Sequence, residues 1–182
     1  KKYIINITII GLGKLALPVA ESMSVEHTVT GYDINLDITS DKIDVRRNLA
    51  VAVEQAEIIF IAVPTPHDKP YGGETPSSHL PVKDFDYRYL EDVLSVIKNH
   101  TFPEQLIVNI STVLPGTLRP MIEKYELQDQ FIYNPYLIAM GTVAEDFLNP
   151  DLLMIGNYKG EENKNVKKLI DFYSTIVKIE KH

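Results

Sequence analysis

Gly11 and Gly13, with Ala16 just beyond and Asp33 roughly 20 residues further on, have the types and spacing that most directly imply a ligand. Gly11 permits a tight turn, Gly13 lets the backbone approach a pyrophosphate, and Ala16 keeps the following helix close to a sheet. The Asp33 carboxylate can accept hydrogen bonds from an adenosine ribose, and it would repel a 2′-phosphate. The constellation reads as a dinucleotide site that favours NAD over NADP. Arg46 and Arg47, the nearby arginines that could reverse that preference, lie well past the acid in sequence.

Such a site needs a strand before the turn and a helix after it. Ile4 to Ile10 is mostly β-branched and apolar, as a strand buried on both faces should be. Leu15 to Met23 suits a helix, and His27 to Tyr32 a second strand ending at Asp33. Residues 34–47 are polar and mixed, with weak structure at best. Asn48 to Gln55 reads as a short helix and Glu57 to Val63 as a strongly apolar strand. The stretch from Pro64 to Val82 is rich in Pro, Gly and Ser and too long for a routine connection.

Asp84 to Lys98 reads as a helix with Tyr87, Leu90, Leu94 and Ile97 on one face and Asp84 as a first-turn acid or cap. Strands are expected over Gln105–Ile110, Gln130–Tyr133 and Leu152–Ile155, and helices over Gly116–Tyr125 and Glu161–Val177. Alternation of this kind predicts an α/β, Rossmann-like doubly wound fold, with a mainly parallel sheet and helices on both faces. Ligands then sit outside the carboxyl ends of the strands. Those ends carry Gly11 to Gly13, Asp33, Val63-Pro64-Thr65-Pro66, Ser111-Thr112 and Asn134-Pro135. Small, hydroxylated and proline-fixed residues suit backbone approach to a flat cofactor, although each threonine also suits ordinary turn or cap chemistry.

The bulk numbers restrict the function further. The chain has 182 residues, 45% hydrophobic and 24% charged, as an ordinary globule of one domain would. A net charge of −7 argues against a nucleic-acid partner. No apolar run approaches the roughly 20 residues of a membrane span. Lys1-Lys2-Tyr3 leads straight into a strand without a signal-cleavage pattern, so the expected location is cytoplasmic. Cysteine is absent, which excludes disulfides, thiolate metal sites and a cysteine nucleophile within this chain. His67 and His79 lack a metal-ligand spacing and read as solvated loop residues. Glu145-Asp146 reads as a cap or solvated face, Lys159 to Lys168 as surface, and His27 as packing.

Four segments carry a resemblance. They are Gly11-Leu12-Gly13 followed by Leu17-Pro18-Val19-Ala20; Ile59 to Pro66; Ser111-Thr112-Val113-Leu114-Pro115-Gly116-Thr117; and Glu145 to Asp151. Together they resemble the NAD-binding N-terminal domain of the nucleotide-sugar dehydrogenases, which oxidise UDP-glucose, GDP-mannose and related sugars. The Val-Pro-Thr-Pro and Ser-Thr-Val-x-Pro-Gly-Thr pieces are far more specific than the glycine motif. The resemblance implies an NAD-dependent oxidation of a sugar C6 alcohol to a carboxylate by two hydride transfers, through a cysteine thioester, in polysaccharide biosynthesis. It assigns Gly11, Leu12 and Gly13 to the pyrophosphate and Asp33 to the ribose. Val63, Pro64, Thr65 and Ser111 fall beside the cofactor, and Thr112 falls near the reacting centre as a catalytic hydrogen-bond donor. It also implies a nucleotide-sugar partner and a homodimer.

Three departures separate this chain from the family pattern. The family continues Asn-Pro with two glutamates four apart, where this chain has Tyr136 and Met140, and methionine cannot act as a general acid or base. The stretch between Asp33 and Glu57 is short for the family's loop there. The dimerising helix and substrate domain, which supply lysine, asparagine, cysteine and aspartate, are not in these residues. A thioester route without cysteine is impossible. The expectation is a single dinucleotide-binding domain over residues 1–182, not competent alone. A degenerate module that holds NAD or a nucleotide-sugar without turnover stands as the alternative. A third reading is a β-hydroxyacid-type enzyme, which shares the glycine turn but not Val63 to Pro66. If the Tyr136–Met140 face belongs against a further domain, it should be uncovered here.

Overall fold

The computed structural model describes residues 3–177, so Lys1, Lys2 and the chain beyond Val177 lie outside the described residues. β1 (Asn6–Ile10) runs parallel between β2 (Thr28–Tyr32) and β4 (Ile58–Ile61). β5 (Leu106–Asn109) and β6 (Phe131–Tyr133) extend the sheet in parallel. The two-residue β7 (Gly156–Asn157) closes that edge antiparallel. At the other edge β3 (Asp44–Arg46) pairs with β2, giving the order β3-β2-β1-β4-β5-β6-β7. This is the expected doubly wound sheet.

Alternation along the central strands divides two cores. Ile58 and Phe60 face one side with Ile7, Ile9 and Val108. Ile59 and Ile61 face the other with Ile10 and Ile107. The first core is covered by α1 (Ala16–Met23), α5 (Val143–Leu148) and α6 (Lys164–Tyr173). The second is covered by α2 (Leu49–Val53), α3 (Arg88–Ile97) and α4 (Leu118–Lys124). Sheet strands buried on both faces need continuous apolar runs, and β4 and β5 supply them. Among the described residues no helix is long and apolar enough to cross a membrane.

Several expectations change. Residues 34–47 contain β3, a mostly exposed edge strand with no apolar run to announce it. The strand expected at Leu152–Ile155 is irregular chain whose Met154 carbonyl accepts from Asn134 Nδ2 at 2.7 Å, and pairing begins only at Gly156. Leu153 and Ile155 instead pack against the first core. The helix expected from Asp84 starts at Arg88, because the Asp84 carboxylate accepts from the Phe85 amide and the Tyr87 hydroxyl in the preceding turn. Within the run read as surface, Lys168 reaches inward, donating to the carbonyls of Glu57 and Glu104 at 3.0 and 3.1 Å.

His27 packs as expected. It is buried, accepts from the Ile5 amide, meets the Thr175 hydroxyl at 2.6 Å and lies against Phe172. Asp146 does not cap α5; from within the helix it ties down the preceding turn, accepting from the Ala139 amide and the Thr142 hydroxyl. The Tyr136–Met140 segment is only partly uncovered: Leu137 and Met140 are exposed, but Tyr136 packs on Phe147.

Gly11 holds the turn after β1. Its φ is +90°, and a Cβ there would lie 2.6 Å from the Ala62 carbonyl oxygen. Gly11→Ala should therefore cost about 2–4 kcal/mol, read as a lower urea midpoint at unchanged slope. On the second face, Glu91 accepts from Lys124 Nζ at 2.8 Å and from the Tyr125 hydroxyl. These bonds hold its carboxyl below the usual range. Their contribution is complete above the ordinary glutamate pKa and is lost as pH falls through the depressed one. Urea titrations should show Glu91→Gln less stable at neutral pH by at most about 1 kcal/mol, the difference closing in acid.

Candidate functional site

The turn between β1 and α1 meets the end of β4 and the end of β2. The Gly11 amide donates to the Tyr32 carbonyl at 2.8 Å, and the Ala62 amide donates to Ile10 at 2.8 Å. These bonds align three strand ends around a cavity of about 690 Å³, lined by Gly11, Gly13 and Ala16 from the turn, Asp33 from β2, and Val63 and Pro64 after β4. A Cβ at Gly13 would meet nothing within 4 Å, so the backbone there faces open space rather than packed chain. That opening, at the start of α1 where amides lack intrahelical acceptors, suits a pyrophosphate. The residues present fit a dinucleotide.

Leu12 stands behind the turn. Its side chain is buried, its Cδ1 would touch a Cβ placed on Gly31, and its amide donates to Asp33 Oδ2 at 2.7 Å. Asp33 Oδ1 accepts from the Asn35 amide at 2.8 Å. Two backbone donors thus orient the carboxylate at the cavity wall, and its remaining lone pairs are available to ribose hydroxyls.

Val63-Pro64-Thr65 and Ser111-Thr112 come together as a clamp, of which Val63 and Pro64 alone line the cavity. The Ser111 hydroxyl donates to the Val63 carbonyl at 2.7 Å, and the Thr65 hydroxyl donates to the Thr112 carbonyl at 2.7 Å. Thr65 and Ser111 therefore direct their hydroxyls at neighbouring backbone. The exposed Thr112 side chain keeps its hydroxyl clear of these bonds. Beneath them lies Asn109, fully buried, whose Nδ2 donates to the Ser111 carbonyl at 2.9 Å while Oδ1 has no partner. An unpaired buried acceptor costs about 1–3 kcal/mol and is the kind of exception found at functional sites.

Sequence reasoning missed part of the cavity. Tyr89, Asp92, Val93 and Val96 of α3 form its far wall, and Lys14 and Met140 stand at its rim. Only the period of α3 could have signalled the first four, and nothing local signals Met140. Tyr136, the other residue at a family glutamate position, meets the Tyr173 hydroxyl at 2.9 Å, and Tyr173 donates on to Asn134 Oδ1. Burial pushes both phenols well above their usual range. Neither residue lines the cavity. Among the described residues no group of three or more His, Asp or Glu side chains could hold a metal.

Known proteins resemble this chain in sequence and in fold. Residues 36–177 match the UDP-glucose/GDP-mannose dehydrogenase family, NAD binding domain. The chain is 30% identical to Protein CapL of Staphylococcus aureus, over 94% of this chain and 43% of that protein. It is likewise 30% identical to a UDP-glucose 6-dehydrogenase of Caenorhabditis elegans, over 88% of this chain and 32% of that protein. It thus spans under half the length of these relatives. Among solved structures, a UDP-D-ManNAc dehydrogenase from Pyrococcus horikoshii superposes with TM-score 0.75 at 20% identity, over 96% of this chain and 45% of that one. A GDP-mannose dehydrogenase from Pseudomonas aeruginosa superposes with TM-score 0.72 at 24% identity, over 93% and 44%. At these identities the structures show a shared fold.

The clamp separates two kinds of threonine. Thr65→Val and Ser111→Ala each remove a donor from a strand-end carbonyl and should lower stability by about 1 kcal/mol in urea titrations. Thr112→Val, whose hydroxyl is exposed, should stay within about 0.5 kcal/mol of the parent.

Proposed function

This chain belongs to the UDP-glucose/GDP-mannose dehydrogenase family, as its NAD-binding domain, and we propose that it serves a nucleotide-sugar 6-dehydrogenase as the half that binds and orients the cofactor. The observation that carries this reading is the junction of the open Gly13 backbone, the doubly held Asp33 carboxylate and the Val63-Pro64 wall around one cavity. Gly11 and Gly13 admit the pyrophosphate, with Leu12 packed behind them. Asp33 accepts from the adenosine ribose, and the Ser111–Val63 and Thr65–Thr112 bonds keep the nicotinamide end rigid. Bound NAD supplies a hydride acceptor, and this chain's part is orientation and electrostatics. Thr112, with its hydroxyl clear of the clamp, is the donor beside the reacting sugar carbon. The nucleotide-sugar partner, a role in polysaccharide biosynthesis, homodimeric assembly and a cytoplasmic setting follow from the same family reading, as does one dinucleotide-binding domain over residues 1–182.

A second reading rests on its own observation. Met140 at the rim and the enclosed Tyr136 hydroxyl replace the carboxylates that proton transfer would need, which favours a module that holds NAD without turnover. The two readings share the cofactor and divide on chemistry.

Calorimetric titration should show NADH binding in the micromolar range, much weaker NADPH binding, and loss of NADH binding in Asp33→Ala; no heat with either cofactor would end both readings. Mixed with NAD and UDP-glucose, these 182 residues should form no sugar carboxylate, since they include no cysteine to carry the thioester of the second oxidation.

A further inference from the structure

The adenosine end of the cavity is closed by a short exposed turn whose own bonds are few and local. Residues 34–38 leave β2 as an exposed loop, and Ile34, Asn35 and Ile38 of that loop line the cavity. Within the loop the Asn35 amide bonds Asp33, the Asp37 amide bonds the Asn35 side chain at 3.0 Å, and the Ile38 amide donates to the Asn35 carbonyl at 3.3 Å, closing a single turn. What crosses it from outside is Arg47. Parallel pairing sets Tyr32 opposite Arg46, so Arg47 stands one residue beyond the strand pair, level with Asp33. From there Nη2 donates to the Ile38 carbonyl at 3.0 Å and Nη1 to the Asn35 carbonyl at 3.4 Å. A planar guanidinium can fork to two acceptors in this way, whereas an ammonium cannot hold both in fixed geometry. Arg46 beside it is paired with Asp44 at 2.6 Å.

We propose that Arg47 is the positioning residue of the adenosine site: its fork across the Asn35 and Ile38 carbonyls holds the loop, and through the Asn35 amide the Asp33 carboxylate, in the orientation that accepts the ribose 2′-hydroxyl. The inference rests on the cofactor reading above. It also explains how an arginine level with the acid coexists with a site for NAD. With both arms on loop carbonyls, the guanidinium is already engaged and is not a free partner for a 2′-phosphate. The edge strand β3 exists, in this account, to bring Arg47 back to the sheet end from which its sequence position separates it.

The test titrates NADH and its 2′-deoxyadenosine analogue into the parent chain, Arg47→Ala and Arg47→Lys, with thermal melts run alongside. The parent should prefer NADH, through the hydroxyl that Asp33 accepts. In Arg47→Ala, NADH binding should weaken about tenfold, as loss of a charge-assisted pair of hydrogen bonds implies, and the preference for NADH over the deoxy analogue should fall towards one. Arg47→Lys should resemble Arg47→Ala rather than the parent. Both variants should melt close to the parent, since the side chain is exposed. Equal weakening of both ligands with the preference intact would reduce Arg47 to general support and overturn the proposal. So would unchanged NADH affinity. Failure of the parent chain to bind NADH would instead remove the cofactor reading, and this inference with it.

Discussion

The rest of the structure depends on how closely the β1–α1 turn approaches the end of β4. Only a residue without a Cβ can stand at Gly11, because the Ala62 carbonyl oxygen occupies the place where that atom would go. The closeness lets the Gly11 amide reach Tyr32 on one side while the Ala62 amide reaches Ile10 on the other. Three strand ends are thereby brought level. The start of α1, the β2 acid and the Val63-Pro64 segment then face one cavity instead of three separate surfaces.

That constraint has a local signature, and this is why the centre of the molecule was legible in the sequence. A β-branched run, two glycines and an acid at the next strand end report on neighbours that are also close in sequence. Gly11, Gly13, Asp33, Val63 and Pro64 are where they were expected. The two cores follow from strands apolar on both faces, again a local property. Thr65, Ser111 and Leu12 stand at the expected chain ends, and the fold adds which backbone groups they meet. Chain position shows which strand end carries a hydroxyl, and it does not show that the hydroxyl faces a carbonyl across the gap.

The edges were less legible, for a definite physical reason. β3 is three residues long, mostly exposed, and consists of Asp, Val and Arg, so its pairing with β2 supplies what its composition lacks. Missing it also misplaced Arg47, which the sequence sets far from Asp33 and the sheet sets beside it. Leu152 to Ile155 failed in the opposite sense. An apolar run of four reads as a strand, but Leu153 and Ile155 satisfy it by packing against the first core, and the pairing passes to Gly156 and Asn157. The family glutamate positions show a third limit. Sequence identified Tyr136 and Met140 as departures, while the bond from Tyr136 to Tyr173 on α6 required the fold.

The last helix ties down the first residues. Lys168 grips the carbonyls at the entry ends of β4 and β5, His27 is held through Thr175, and Phe172 and Tyr173 complete the core beneath β1 and β6. A chain emerging from the ribosome makes its glycine turn well before this helix. Until residues 164–175 have left the exit tunnel, the face opposite α2 and α3 exposes the apolar floor that α6 will cover. The nascent domain is thus at its most adhesive just before α6 docks, with its cofactor turn already synthesised and its first core covered by α1 and α5 alone.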